Sequence, residues 1–110
     1  MKSIEWLGSS RQDLAGFPVY ARRDAGVQLF LIQTGLDPRD WKPMSTVGAG
    51  VKEIRVQAGG QWRVLYVAKF ADAVYVLHAF GKKTQRTAKA DIDVATKRYN
   101  QLLATLKAAK

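Results

Sequence analysis

The sequence predicts an α+β fold: a small antiparallel sheet with two helices before it and one after it. Three observations carry this. The first third repeats its apolar residues near helical spacing, the middle switches to a period of two, and the last twenty residues return to helical spacing. The chain has 110 residues, enough for one domain spanning residues 1–110 with a real core and too few for a second.

Ile4 to Leu7 is short, apolar and aromatic, and reads as an edge strand. Ser9-Ser10 before Arg11-Gln12-Asp13-Leu14 reads as a serine-capped helical turn that Gly16 stops. Pro18 suits the first position of a second helix. Along it Val19, Val27, Phe30 and Leu31 form the apolar side, with Arg22, Arg23 and Asp24 elsewhere. Gly35 then caps the helix, and Asp37-Pro38 confirms its end.

From Val51 three strands follow in a meander. Lys52, Ile54 and Val56 alternate with Glu53, Arg55 and Gln57 up to a Gly59-Gly60 turn. Trp62, Val64, Tyr66 and Ala68 alternate with Arg63, Leu65, Val67 and Lys69 up to Ala71-Asp72. Val74, Val76, His78 and Phe80 alternate with Tyr75, Leu77 and Ala79 up to Gly81-Lys82-Lys83. In the last helix Ile92, Ala95, Tyr99, Leu102, Leu103 and Leu106 make one stripe. The expected arrangement has the helices against one face of the sheet.

Charge narrows the function. The chain carries 18 Lys+Arg against 9 Asp+Glu, a formal net charge of +9, which suits an anionic partner, nucleic acid foremost. The imbalance is uneven: residues 1–41 are neutral, residues 42–80 carry +3 and residues 81–110 carry +6. There is no Cys and one His, which excludes disulfides, a thiol nucleophile, Cys-zinc sites and a His-rich metal centre. No carboxylate pair suggests a metal or glycosidase site, so no cofactor is expected. No run approaches the ~20 apolar residues of a membrane span, and the N-terminus lacks an apolar signal core. The expectation is a cytoplasmic protein with no membrane partner.

Lys52, Arg55, Arg63, Lys82 and Lys83 converge if the meander pairs as predicted, with Arg55 opposite Arg63 across the glycine turn. Such a face beside Trp62 or Tyr75 can hold an RNA backbone and stack a base; a solvated outer face also collects Lys and Arg. Arg63 runs in phase with Leu65 and Val67, so it needs a partner such as Glu53 or a ligand phosphate. His78 runs in phase with Val74, Val76 and Phe80, as a structural histidine or a general base.

Several motifs occur in order: Lys42-Pro43-Met44, Val47-Gly48, Gly50 through Val56, Trp62-Arg63-Val64-Leu65-Tyr66, Leu77 through Gln85, and a last helix with Asp91-Ile92 and Ala95. Phe17-Pro18 and Gln33-Thr34-Gly35 precede them. The set covers nearly the whole chain and resembles the phage-derived, HigB-like branch of the RelE/ParE toxin superfamily. The resemblance implies the same α+β fold and a type II toxin that cleaves mRNA on the ribosome, without metal. It further implies Arg63 as phosphate and transition-state clamp, Lys82-Lys83 as the basic pair, and Lys52 and Arg55 as the RNA-binding residues of the preceding strand; Arg86 and Lys89, in the +6 stretch, are read as further RNA-binding residues. Related toxins place a tyrosine or histidine near the C-terminus for proton transfer. Here residues 84–110 hold no His and only Tyr99, which leaves Lys82, Lys83 or His78. The implied partners are the ribosome, mRNA and a HigA-like helix-turn-helix antitoxin. Two other activities suit the same resemblance and charge: ParE-like inhibition of DNA gyrase, and non-catalytic binding of RNA or ribosome.

Overall fold

A computed structural model describes residues 1–109. It contains β1 (Ser3–Trp6), α1 (Ser10–Ala15), α2 (Val19–Gln33), β2 (Trp41–Pro43), β3 (Val51–Gln57), β4 (Gln61–Val67), β5 (Ala73–Lys82) and α3 (Lys89–Ala108). The strands form one sheet in the order β1-β5-β4-β3-β2. The predicted α+β class and the β3-β4-β5 meander are both present. The sheet is mixed, however, because β1 runs parallel to β5 and only the other pairs are antiparallel. Among the described residues no helix is long and apolar enough to cross a membrane.

The helices cover both faces of the sheet, not one. Against α1 and α2, the sheet buries Ile54, Val56, Val64, Tyr66, Val74, Val76 and Ala79. Against α3, it buries Val51, Leu65, Val67, Ala73, Tyr75, Leu77 and Phe80. The unbroken apolar runs of β4 and β5 are what a strand buried on both sides requires. Residues 63–67 and 73–80 are all buried.

Helix α2 is rotated from its expected phase. It turns Ala21, Ala25, Gln28, Leu29 and Ile32 to the sheet, while Val19, Val27 and Phe30 stay exposed. Alanines let the helix backbone approach the sheet closely, and Leu29 and Ile32 supply the bulk. The buried Gln28 bonds the Arg55 carbonyl and the Asp40 amide, both at 3.3 Å, so it fixes the helix to β3. Helix α3 buries Ala95, Tyr99 and Leu102 of its expected stripe, and the Tyr99 hydroxyl donates to the Ala49 carbonyl at 2.7 Å.

A bulge in β5 changes the parity of the third meander strand. Leu65 pairs with His78 but Tyr66 pairs with Val76, so Leu77 is the extra residue. Val74 and Val76 therefore face α2, whereas Phe80 lies in the core beneath α3. His78 stacks on that Phe80 ring at 4.9 Å, so the predicted common phase of the four residues breaks at Leu77.

Candidate functional site

The β3–β4 hairpin builds the site. Its turn needs glycine, with φ of 64° at Gly59 and 144° at Gly60. The resulting register sets Arg55 directly opposite Arg63. Like charges at such a position repel. Glu53, two residues before Arg55 on the same side of β3, supplies the counter-charge.

Glu53 is fully buried and Arg63 is 6% exposed. Glu53 Oε1 lies 3.5 Å from Arg63 Nε, 3.8 Å from Lys42 Nζ and 4.0 Å from Arg55 Nε. Its second oxygen accepts the Thr87 hydroxyl at 3.0 Å. Neither Glu53 Oε1 nor Arg63 Nε makes an aligned hydrogen bond, so charge rather than directed bonding joins them. The far end of the Arg63 guanidinium donates through Nη1 to the Trp62 carbonyl at 2.9 Å. Through Nη1 and Nη2 it also donates to Gln61 Oε1, each at 3.3 Å.

Above this ring lies an open cleft of about 520 Å³ lined by Arg55, Gln61, Arg63, Lys82, Lys83, Thr84 and Gln85. Cations outnumber Glu53 on every side. Burial holds the Arg63 pKa below its ordinary value, with Glu53 opposing and Arg55 adding to the fall. Burial also lowers the pKa of the Lys82 ammonium, and Arg63 beside it lowers it further. Burial leads both shifts, and the neighbouring cations add to them. A phosphate in the cleft relieves both, and the Arg63 fork matches phosphate oxygens two at a time.

Four of the sequence-predicted residues thus come together: Arg55, Arg63, Lys82 and Lys83. Lys52 does not join them. Strand alternation turns it to the α2 face, where Nζ pairs with Asp37 Oδ1 at 3.0 Å and sits 4.4 Å from the Trp41 ring centroid. His78 does not line the cleft either. It is 8% exposed beneath α3, and its Nε2 lies 2.7 Å from Asp91 Oδ1. Arg86 lines a smaller neighbouring pocket, and Lys89 is exposed at the start of α3.

The two expected stacking platforms are elsewhere. Trp62 packs on Phe17 on the α2 face, with centroids 4.9 Å apart. Tyr75 is buried, and its hydrogen bond to Asp72 pushes its pKa up to about 12. Sequence reasoning missed Lys42, Gln61 and Thr87 in the cluster. Gln61 had a signal, since it stands two residues before Arg63 on the same side of β4. Thr87 had none, because a loop residue follows no period.

A family model described as phage-derived protein Gp49-like (DUF891) matches residues 12–100, from α1 into α3 and through every residue of the cleft. No curated protein matches the sequence. With most of the chain matched, the protein belongs to the phage-derived Gp49-like family, a RelE/HigB-like toxin family.

Proposed function

We propose that the protein is the toxin of a type II toxin–antitoxin system, of the HigB-like kind, and that it cuts mRNA on the translating ribosome. The observation that carries this reading is the Arg63 guanidinium, held from below by buried Glu53 and opening into a cleft with Arg55, Lys82 and Lys83. In the proposed reaction the 2′-oxygen attacks the adjacent phosphorus and the bond to the 5′-oxygen breaks. One product ends in a 2′,3′-cyclic phosphate and the other in a 5′-hydroxyl. Arg63 binds the phosphate and stabilises the charge that builds on its oxygens. Neutral Lys82 takes the 2′-hydroxyl proton, and the Lys83 ammonium gives one to the leaving oxygen.

Outside the cleft, α2 leaves Tyr20 72% exposed and Phe30 51% exposed, on the charge-neutral third of the chain. That apolar face suits coverage by a HigA-like helix-turn-helix antitoxin. The test is induced expression with pulse labelling of protein and DNA synthesis, followed by mapping of mRNA ends. Expected are an early stop of protein synthesis and new 5′ ends within translated messages. DNA damage with intact mRNA would instead support gyrase inhibition, and salt-sensitive RNA binding without cleavage would support a binding module.

The Lys82 assignment predicts a pH profile. A base must be unprotonated, so single-turnover cleavage on programmed ribosomes rises with pH and levels off before the ordinary lysine value of 10.5. Lys82→Arg keeps the charge but cannot lose its proton. It is expected to lose the rising limb and about 100-fold in rate. An unchanged profile in that variant would remove Lys82 from proton transfer. The stability trend has the same sign. The folded state binds this proton more weakly than the unfolded chain, so stability at Lys82 increases between the lowered and ordinary values.

A further inference from the structure

We propose that the small pocket beside the cleft is a nucleobase subsite, and that Asp91 reads a guanine there; the proposal rests on the RNA reading of the cleft. The pocket measures about 160 Å³ and shares Lys82, Lys83 and Thr84 with the cleft. Pockets that enclose drug-sized ligands run to roughly 300–1,000 Å³. This one therefore takes one small fragment, not a whole nucleotide, and a base is the fragment that a strand in the cleft delivers.

Its remaining wall suits a base. Phe80 is among its lining residues, and its ring stacks on the His78 imidazole at 4.9 Å with 24° between planes. Ala88, just before α3, adds a small side chain to the lining. Asp91 is an acceptor among cations: it lines the same pocket as Lys82, Lys83 and Arg86. His78 Nε2 engages its Oδ1 at 2.7 Å and so orients the carboxylate, while Oδ2 has no hydrogen bond among the described residues. A carboxylate accepts only, so it selects bases by their N–H donors. Guanine offers two adjacent donors on its Watson–Crick edge, where uracil offers one, and single-stranded RNA exposes that edge. The buried histidine, which the cleavage chemistry does not use, gains a role as the residue that positions Asp91.

The test is fluorescence anisotropy at low salt with four labelled homotrinucleotides, fully 2′-O-methylated so that no attack occurs. The guanosine probe is expected to bind about tenfold more tightly than the others. Asp91→Asn is expected to level that preference with the other three affinities unchanged. Ala88→Leu, at an exposed position outside the core, is expected to do the same by filling the pocket. Equal binding of all four probes by the natural protein would overturn the subsite and leave the phosphate cleft standing. Equal weakening of all four by Asp91→Asn would also overturn it. Failure of every probe to bind would overturn the RNA reading of the cleft together with the subsite.

Discussion

Arg63→Ala is expected to lower the proposed ribosome-dependent cleavage about 100- to 1,000-fold, the range seen when one preorganised donor to a developing oxyanion is removed. Two features of the site make Arg63 the position of largest effect. It is the most buried cation of the cleft, so its field is least screened by water. Its guanidinium is also held at both ends, by Glu53 near Nε and by Gln61 and the Trp62 carbonyl at the terminal nitrogens. A phosphate arriving there replaces a neutral amide partner, with little reorganisation of the protein. Truncation leaves Glu53 with Lys42 at 3.8 Å and Arg55 at 4.0 Å, so the buried carboxylate is not stranded and the fold survives. Arg63→Lys separates charge from shape. A lysine keeps the charge and loses the planar fork, so most of the activity is lost with a melting temperature near that of the natural protein. The measurement is the single-turnover rate at saturating ribosomes alongside thermal melting. A folded Arg63→Ala protein that cleaves at the natural rate would sink the proposed role.

How far this site was legible in the sequence depended on which residues obeyed a local rule. The hairpin was legible, because Gly59-Gly60 fixes where β3 turns into β4 and the turn fixes that Arg55 meets Arg63. The need for a partner, Glu53 or a ligand phosphate, followed from Arg63 sharing a phase with Leu65 and Val67: a cation in an apolar row needs a counter-charge. Lys52 was misgrouped even though parity was available. Positions 52 and 55 differ by an odd number and so face opposite ways. The β5 bulge was not legible. One extra residue at Leu77 leaves the composition of the strand unchanged but moves His78 and Phe80 beneath α3. The parallel edge was equally hidden, because β1 and β5 meet across some seventy intervening residues and no turn chemistry marks the pairing. Bulk predicts the wrong phase for α2, which is set instead by which residues allow close approach. Ala21 and Ala25 face the sheet, and Val27 and Phe30 face outward.

The other large effect is on stability, at Glu53. Glu53→Gln preserves shape and removes the fully buried negative charge that Arg55 and Arg63 share. Breaking a buried ion pair by removing one partner costs roughly 3–5 kcal/mol. The lower end applies here, about 3 kcal/mol, because Lys42 and Arg55 are each 37% exposed at the side chain and can swing toward water. For a domain of this size that is a fall of about 10 °C or more in melting temperature. Two further measurements separate electrostatics from packing. The first adds a polyanion such as tripolyphosphate. An anion in the cleft substitutes for the missing carboxylate, so the melting temperature of Glu53→Gln rises more steeply with ligand than that of the natural protein. The second replaces the pair together, as Glu53→Met with Arg63→Met. Apolar side chains of similar volume restore most of the lost stability, since a desolvated ion pair contributes little net energy against a packed hydrophobic pair. The proposed cleavage is expected to stay absent in the double variant, because Arg63, the proposed phosphate clamp, is gone. A Glu53→Gln protein that melts like the natural one would mean that Lys42, Arg55 and Arg63 tolerate one another unaided. The buried carboxylate would then not be what holds Arg63 in place.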